Sequence, residues 1–153
     1  MSRYELAPVT TSELWSALHD IRRAVLFTLG RHATPIVYDD NHPDDRKPGH
    51  HPFVLLFDGS PVGTARLDEI GGGRGVVRLV AIVAEQQGRG HGRVLGMMID
   101  KEAARRGLRV LHVNSAADAL GYYEALGWRR DLWDPSELAG IAAACVQMSK
   151  NVD

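Results

Sequence analysis

Between residues 76 and 113 the chain sets an apolar strand, a glycine-studded turn, an amphipathic helix and a second apolar strand end to end. The stretch "VVRLVAIV" at 76–83 is almost continuous in apolar, β-branched residues, the pattern of a strand buried on both faces. Val94, Leu95, Met98, Ile99 and Ala103 then recur on one helical face, and Gly107 supplies a stop. "LRVLHV" at 108–113 reads as another buried strand. Strand, helix and strand in this order make a right-handed crossover between two parallel strands.

The flanking segments extend this unit. Thr10 and Glu13 fit a capping box ahead of Leu14, Leu18, Ile21 and Val25, which predicts a helix over 11–29 with Gly30 as its stop. Residues 38–52 hold three prolines, four aspartates and three histidines without apolar periodicity, and read as a long loop. "FVLLFDGSPVGTARLDEI" predicts a hairpin turning at Asp58-Gly59, and "GGGRG" at 71–75 a second turn. "SAADALGYYEALGW" predicts a short helix ending at Gly127, and "AACVQMSK" a closing strand. The expected fold is α+β (mixed α/β), one domain over residues 1–153, with a mostly antiparallel sheet containing a parallel βαβ unit.

Composition narrows the class of function. A net charge of −1 gives no global attraction to nucleic acid or an anionic membrane, and neither is expected as a partner. No run of about 18 apolar residues predicts a membrane span, and the first residues lack an apolar signal core. The single cysteine, Cys145, excludes an internal disulfide and suits a reducing, cytoplasmic setting.

Residues 87–93, "QGRGHGR", sit where the strand gives way to the helix. The first amides of a helix lack intrahelical partners and carry the positive end of its dipole. Glycines allow close backbone approach, and Arg89 and Arg93 add full charge, so this is chemically a phosphate site. A nucleoside triphosphate loop would need Gly-Lys-Ser/Thr, which is absent. A dinucleotide fingerprint would need glycine where Arg93 stands. A merely flexible turn is the plainer alternative.

Gln87-x-x-Gly90-x-Gly92 resembles the loop signature of the GCN5-related N-acetyltransferase (GNAT) superfamily. "ADALGYYEALGW" resembles that family's Tyr-Glu-x-Leu-Gly segment, and "HPFVLLFDGSPVGTARL" its preceding hairpin. The resemblance covers roughly residues 12–150. It implies a sheet with splayed central strands and helices on both faces. It also implies acetyl-CoA as co-substrate and a primary amine as acceptor, small or on a protein. The diphosphate would rest on Gln87, Gly88, Arg89, Gly90, His91, Gly92 and Arg93, and the pantetheine arm would pair with Val80, Ala81 and Ile82. A homodimer is left open, as is a non-catalytic acyl-CoA-binding module on the same fold.

In the family the tyrosine of Tyr-Glu-x-Leu-Gly protonates the departing thiolate, which points to Tyr123, with Tyr122 about 100° away round the helix. The glutamate base of some members is missing, since Val76, Val77 and Leu111 stand nearby. Asp68, Glu69, His50, His51 and His112 remain candidates. Asn114 would contact the cofactor or cap the next helix; Ala116 stands where the family often places Asn or Gln. Arg66 is expected to pair with Asp68 or Glu69 rather than to hold a substrate. Cys145 is expected to be a buried structural thiol. His42, His50, His51 and the nearby aspartates match no zinc spacing; a solvated loop beside the acceptor cleft, without metal, is expected.

Overall fold

In a computed structural model, which describes residues 3–27 and 37–152, the chain builds seven strands and three α-helices. They follow in the order β1 (Tyr4–Pro8), α1 (Ser12–Leu26), β2 (His50–Phe57), β3 (Ser60–Gly71), β4 (Arg74–Ile82), α2 (His91–Arg105), β5 (Val110–Ser115), α3 (Leu120–Ala125), β6 (Arg129–Arg130) and β7 (Val146–Asn151). The sheet order is β1-β2-β3-β4-β5-β7-β6. Only β4 and β5 run parallel, as the crossover requires; the other neighbours are antiparallel.

Alternation along the strands sends side chains to two unlike faces. On one face Phe53, Leu55, Ala65, Leu67, Val77, Leu111, Val113 and Met148 pack against Leu95, Ile99 and Ala103 of α2 and Tyr123 of α3. On the other, α1 lays Leu18 over Val54 and Val9. The rest of that face is polar. Arg22 donates to both oxygens of Asp45 at 2.8 and 3.0 Å, and Arg66 donates to Asp45 at 3.0 Å and to Asp68 at 2.8 and 3.0 Å. Arg78 then bridges Asp68 at 2.9 Å to Glu137 at 2.8 and 3.0 Å. Arg22, Asp45, Arg66 and Asp68 are all buried. Burial works against the Asp45 charge, but the two guanidiniums outweigh it and hold its carboxyl below the usual range.

Turn chemistry follows the sequence closely at the hairpin. Asp58 and Gly59 both take positive φ, at 50° and 80°, the two-residue turn that matches strand twist. Elsewhere the boundaries move. Thr11, not Thr10, caps α1 by accepting from the Leu14 amide, and the expected stop at Gly30 lies outside the described residues. The expected loop 38–52 is interrupted by a 3₁₀ turn, Pro43–Arg46, and ends at His50, where β2 begins. β5 runs two residues later than expected, which brings Asn114 into the strand. The segment before Gly127 splits into a 3₁₀ turn, Ala117–Ala119, and the short α3. Cys145 precedes β7 and is half-buried rather than buried within it.

Asp45→Ala would leave Arg22 and Arg66 buried with one counter-charge between them. Removing one partner of a buried pair typically costs about 3–5 kcal/mol. Urea unfolding should show a loss of that order; a loss below about 1 kcal/mol would mean that water reaches these guanidiniums.

Candidate active site

The parallel ladder of β4 and β5 pairs Arg74 with Val110 through Val77 with Val113, and stops there. Beyond it β4 continues to Ile82 and β5 to Ser115 without pairing to each other. A bulge accompanies the parting: Thr64 faces Ala81 while Arg66 faces Arg78, so β4 carries an extra residue. Leu79, at φ 55°, adopts the left-handed conformation that a branched side chain resists by roughly 1–2 kcal/mol. The Thr64 hydroxyl donates to the Leu79 carbonyl at 3.3 Å and holds it there. The two strands thus form a fork, and the edge of β4 from Val80 to Ile82 faces the gap with unused backbone groups.

Above the fork the strand passes through a 3₁₀ turn, Ala84–Gln86, into α2. Gly88 and Gly90 have φ of 77° and 87°, and Gly90 is the helix N-cap. A Cβ at either position would meet nothing within 4 Å, so the protein packs nothing against this side of the loop. Gln87, Arg89 and Arg93 are exposed around it. The Gln87 side chain donates to the Ile82 carbonyl at 3.0 Å and ties the loop to the strand end. His91 is buried and turned away, its Nδ1 2.8 Å from the Tyr4 hydroxyl, so only its backbone faces the loop mouth. Gly92 has a different reason: a Cβ there would sit 3.2 Å from the Tyr122 ring.

The adjacent tyrosines have separate tasks. Tyr122 donates to the Gly92 carbonyl at 2.6 Å and fastens α3 to the first turn of α2; burial pushes its hydroxyl pKa up to about 12. Tyr123 is buried between the sheet and Trp128, and its hydroxyl makes no hydrogen bond to the protein. Burial, then the neighbouring Tyr122 and Cys145, push its pKa far above the ordinary phenol value. It is therefore a protonated donor without a partner.

On the polar face, at the same level, lies an open cavity of about 420 Å³ lined by Asp44, Lys47, His50, Arg66, Asp68, Ile70, Arg78, Ser136 and Glu137. Of the expected bases, only Asp68 and His50 reach it. Asp68 is 1% exposed and fully engaged by Arg66 and Arg78, and His50 Nδ1 donates to the Asp44 carbonyl at 2.6 Å. His51 and Glu69 bond each other at 2.6 Å on the opposite face. His112 is also spoken for: Arg74 donates to its Nε2 at 2.9 Å, so Nδ1 carries the hydrogen and donates to Ser149 at 2.6 Å. Among the described residues, no group of three or more His, Cys, Asp or Glu is placed to hold a metal ion.

A fork in a mixed sheet, roofed by a left-handed glycine turn at a helix start, is also what a family model recognises. The model described as "Acetyltransferase (GNAT) family" matches residues 15–128. The chain belongs to the GNAT acetyltransferase family. It is an acetyl-CoA-dependent N-acetyltransferase. Solved structures agree on the fold. A GNAT-family acetyltransferase from Staphylococcus aureus Mu50 superposes with a TM-score of 0.78 at 11% identity, covering 98% of this chain and 99% of that one. The ribosomal-protein-S18-alanine N-acetyltransferase from Escherichia coli gives 0.73 at 18% identity, covering 98% and 94%. N-acetylglutamate synthase from Neisseria gonorrhoeae, solved with coenzyme A and L-arginine, gives 0.71 at 18%, covering 99% of this chain and 34% of that one. No curated protein matches the chain in sequence.

Within the GNAT fold the expected site residues gather at two places: Gln87 to Arg93 at the loop, and Val80 to Ile82 with Tyr123 and Asn114 at the fork. Asn114 does not cap the following turn, which has no side-chain cap. Its Nδ2 donates to Glu137 at 3.1 Å and its Oδ1 accepts from Gln147 at 2.9 Å. Arg66 pairs with Asp68 as expected, and with Asp45; Glu69 is elsewhere. Glu137 and Arg78 went unremarked in the sequence. They stand 59 residues apart, and no local pattern announces their pairing.

His112 gives the fold a pH dependence. Burial, then Arg74, lower its pKa from 6.5, so the folded state binds the proton less readily than the unfolded chain. Its contribution to stability is complete above pH about 6.5 and is lost as pH falls below that value toward the folded pKa. The melting temperature should drop between pH 7.5 and 5.5, and drop less in His112→Asn. Equal drops in both proteins would contradict the neutral, doubly bonded ring.

Proposed function

We propose that this chain, read as one transferase domain over residues 1–153, acetylates a primary amine that enters through the charged cavity, while acetyl-CoA lies in the fork. The observation that carries this reading is the fork itself, with Tyr123 on one side and the cavity on the other. Residues at the loop fit a diphosphate: left-handed glycines with open space beside them, the free amides of a helix start, and Arg89 and Arg93. Val80, Ala81 and Ile82 offer strand-edge amides and carbonyls to an extended arm that carries amides of its own. Asn114, at the mouth of β5, borders the same gap.

Bound acetyl-CoA supplies the acetyl group as a thioester whose sulfur leaves. The Tyr123 hydroxyl, free of protein partners, donates toward that sulfur from the apolar side. The amine approaches from the polar side, so nucleophile and leaving group meet the carbonyl from opposite faces of the sheet. A cavity of about 420 Å³ lies within the range of small-molecule sites and admits a small amine or the end of a protein chain. Its lining alternates in charge, which suits a polar acceptor. A cytoplasmic location fits the cofactor and the lone, half-buried Cys145.

Two measurements check the assignment. Gly90→Asp forces a side chain into φ 87° and sets a carboxylate where the diphosphate would lie. Acetyl-CoA affinity by calorimetry should fall by about tenfold or more, since each 1.4 kcal/mol is tenfold; a folded variant with wild-type affinity would remove the loop from the cofactor site. Tyr123→Phe should lower kcat by at least about tenfold at little change in acetyl-CoA affinity, because general-acid help is worth about 10²–10⁴. Tyr122→Phe, which loses its bond to Gly92, should show its effect in stability or affinity and spare kcat. The reverse pattern would exchange the roles of the two tyrosines.

A further inference from the structure

Val77 and Val113 form the last pair of the parallel ladder. The next residue on each strand is Arg78 on β4 and Asn114 on β5, and both side chains reach one carboxylate. Glu137 Oε1 accepts from Arg78 Nη1 at 2.8 Å and from Asn114 Nδ2 at 3.1 Å; Oε2 accepts from Arg78 Nη2 at 3.0 Å. A carboxylate has about four lone-pair sites, so Oε2 keeps one acceptor position open. Glu137 lines the cavity with its side chain 25% exposed. The other carboxylates of the lining differ. Asp68 is sealed between Arg66 and Arg78, and Asp44 sits beside His50, bound to Lys47. Glu137 alone among them stands at the parting of the strands.

On the acceptor reading given above, we propose that Glu137 faces the attacking nitrogen and takes its proton, filling the place left by Val76 and Leu111. The nitrogen lone pair forms the new N–C bond to the acetyl carbon. The C–S bond breaks, its electron pair passes to sulfur, and sulfur takes the Tyr123 hydroxyl proton. The nitrogen gives one proton to the open position on Glu137 Oε2, and solvent carries a proton back to the Tyr123 oxygen. Amine and thioester become amide and thiol, and nothing else is consumed. Positive charge grows on nitrogen as the bond forms, so a fixed carboxylate beside it is worth more in the transition state than before it. The hydrogen bond from Arg78 holds the Glu137 carboxyl below its usual range, so it is ionised at neutral pH and releases the proton readily to water. Arg78 and Asn114 act through it, as positioning residues.

The test uses the full chain with acetyl-CoA and methylamine, the smallest primary amine, and follows thiol release above the uncatalysed rate. Glu137→Gln should slow methylamine-dependent turnover by about 10²-fold while acetyl-CoA affinity and melting temperature stay near wild type, and Glu137→Asp should lose less. Glu137→Gln at wild-type turnover overturns the proposal. So does a loss of turnover matched by an equal loss of acetyl-CoA affinity, which would make Glu137 a structural brace. Should Glu137→Gln fail to fold, Glu137→Asp decides: a loss of about threefold or more at wild-type stability supports the role, and full activity overturns it. A wild-type protein that binds acetyl-CoA yet gives no rate above background would overturn the acceptor cavity and this role together. One that binds no acetyl-CoA would overturn the fork reading beneath both.

Discussion

One extra residue in β4 governs this fold. Strands in a parallel pair normally stay about 4.8 Å apart along their whole length. Here the bulge around Leu79 bends β4 away from β5 after Val77, and the left-handed backbone at Leu79 is locked by Thr64 from the neighbouring strand. The cost is local strain and a row of unpaired backbone groups inside a sheet. Both are tolerable only where something else uses the gap. The fork sets the direction of everything that follows: the loop above it, the helix start that crowns the loop, and the tyrosine that looks into it from α3.

The two faces of the sheet then divide the chemistry. The α2–α3 face is apolar, and it leaves the Tyr123 phenol dry and protonated. The α1 face carries alternating charges from Arg22 through Asp45, Arg66, Asp68 and Arg78 to Glu137. Isolated buried charges would be costly, and each here is balanced by a neighbour. The balance is imperfect at one end: Nε and Nη2 of Arg22 are buried without a hydrogen-bond partner, and we have no physical account of them. At the other end the chain of charges reaches the surface at Glu137, at the fork. A charge network that begins under a helix thus ends at the place where a proton must move.

The central unit was legible because its signals are local. Apolar β-branched runs, alternating glycines and a clean helical stripe lie within 38 consecutive residues, and the hairpin announces itself in Asp58-Gly59. The loop and Tyr123 followed from a family signature written in adjacent residues. What escaped notice depends on distance along the chain. β1 is a five-residue edge strand and β6 only two residues long, too short for periodicity to register. Asp45 looked like part of a solvated loop because its partners Arg22 and Arg66 lie 23 and 21 residues away. Asn114 was read as a cap because the strand was placed two residues early; in register, it belongs to the network at the fork.

The account depends on acetyl-CoA lying along β4 with its diphosphate on the loop. Backbone amide resonances of the isotopically labelled protein, followed by NMR during a titration with coenzyme A, test this most directly. The amides of Val80, Ala81 and Ile82 and those of Gly88 to Arg93 should move together, with one shared affinity, while those around Asp44 and Lys47 at the far end of the cavity stay still. Shifts confined to the cavity residues, with the β4 edge and the loop unmoved, would contradict it.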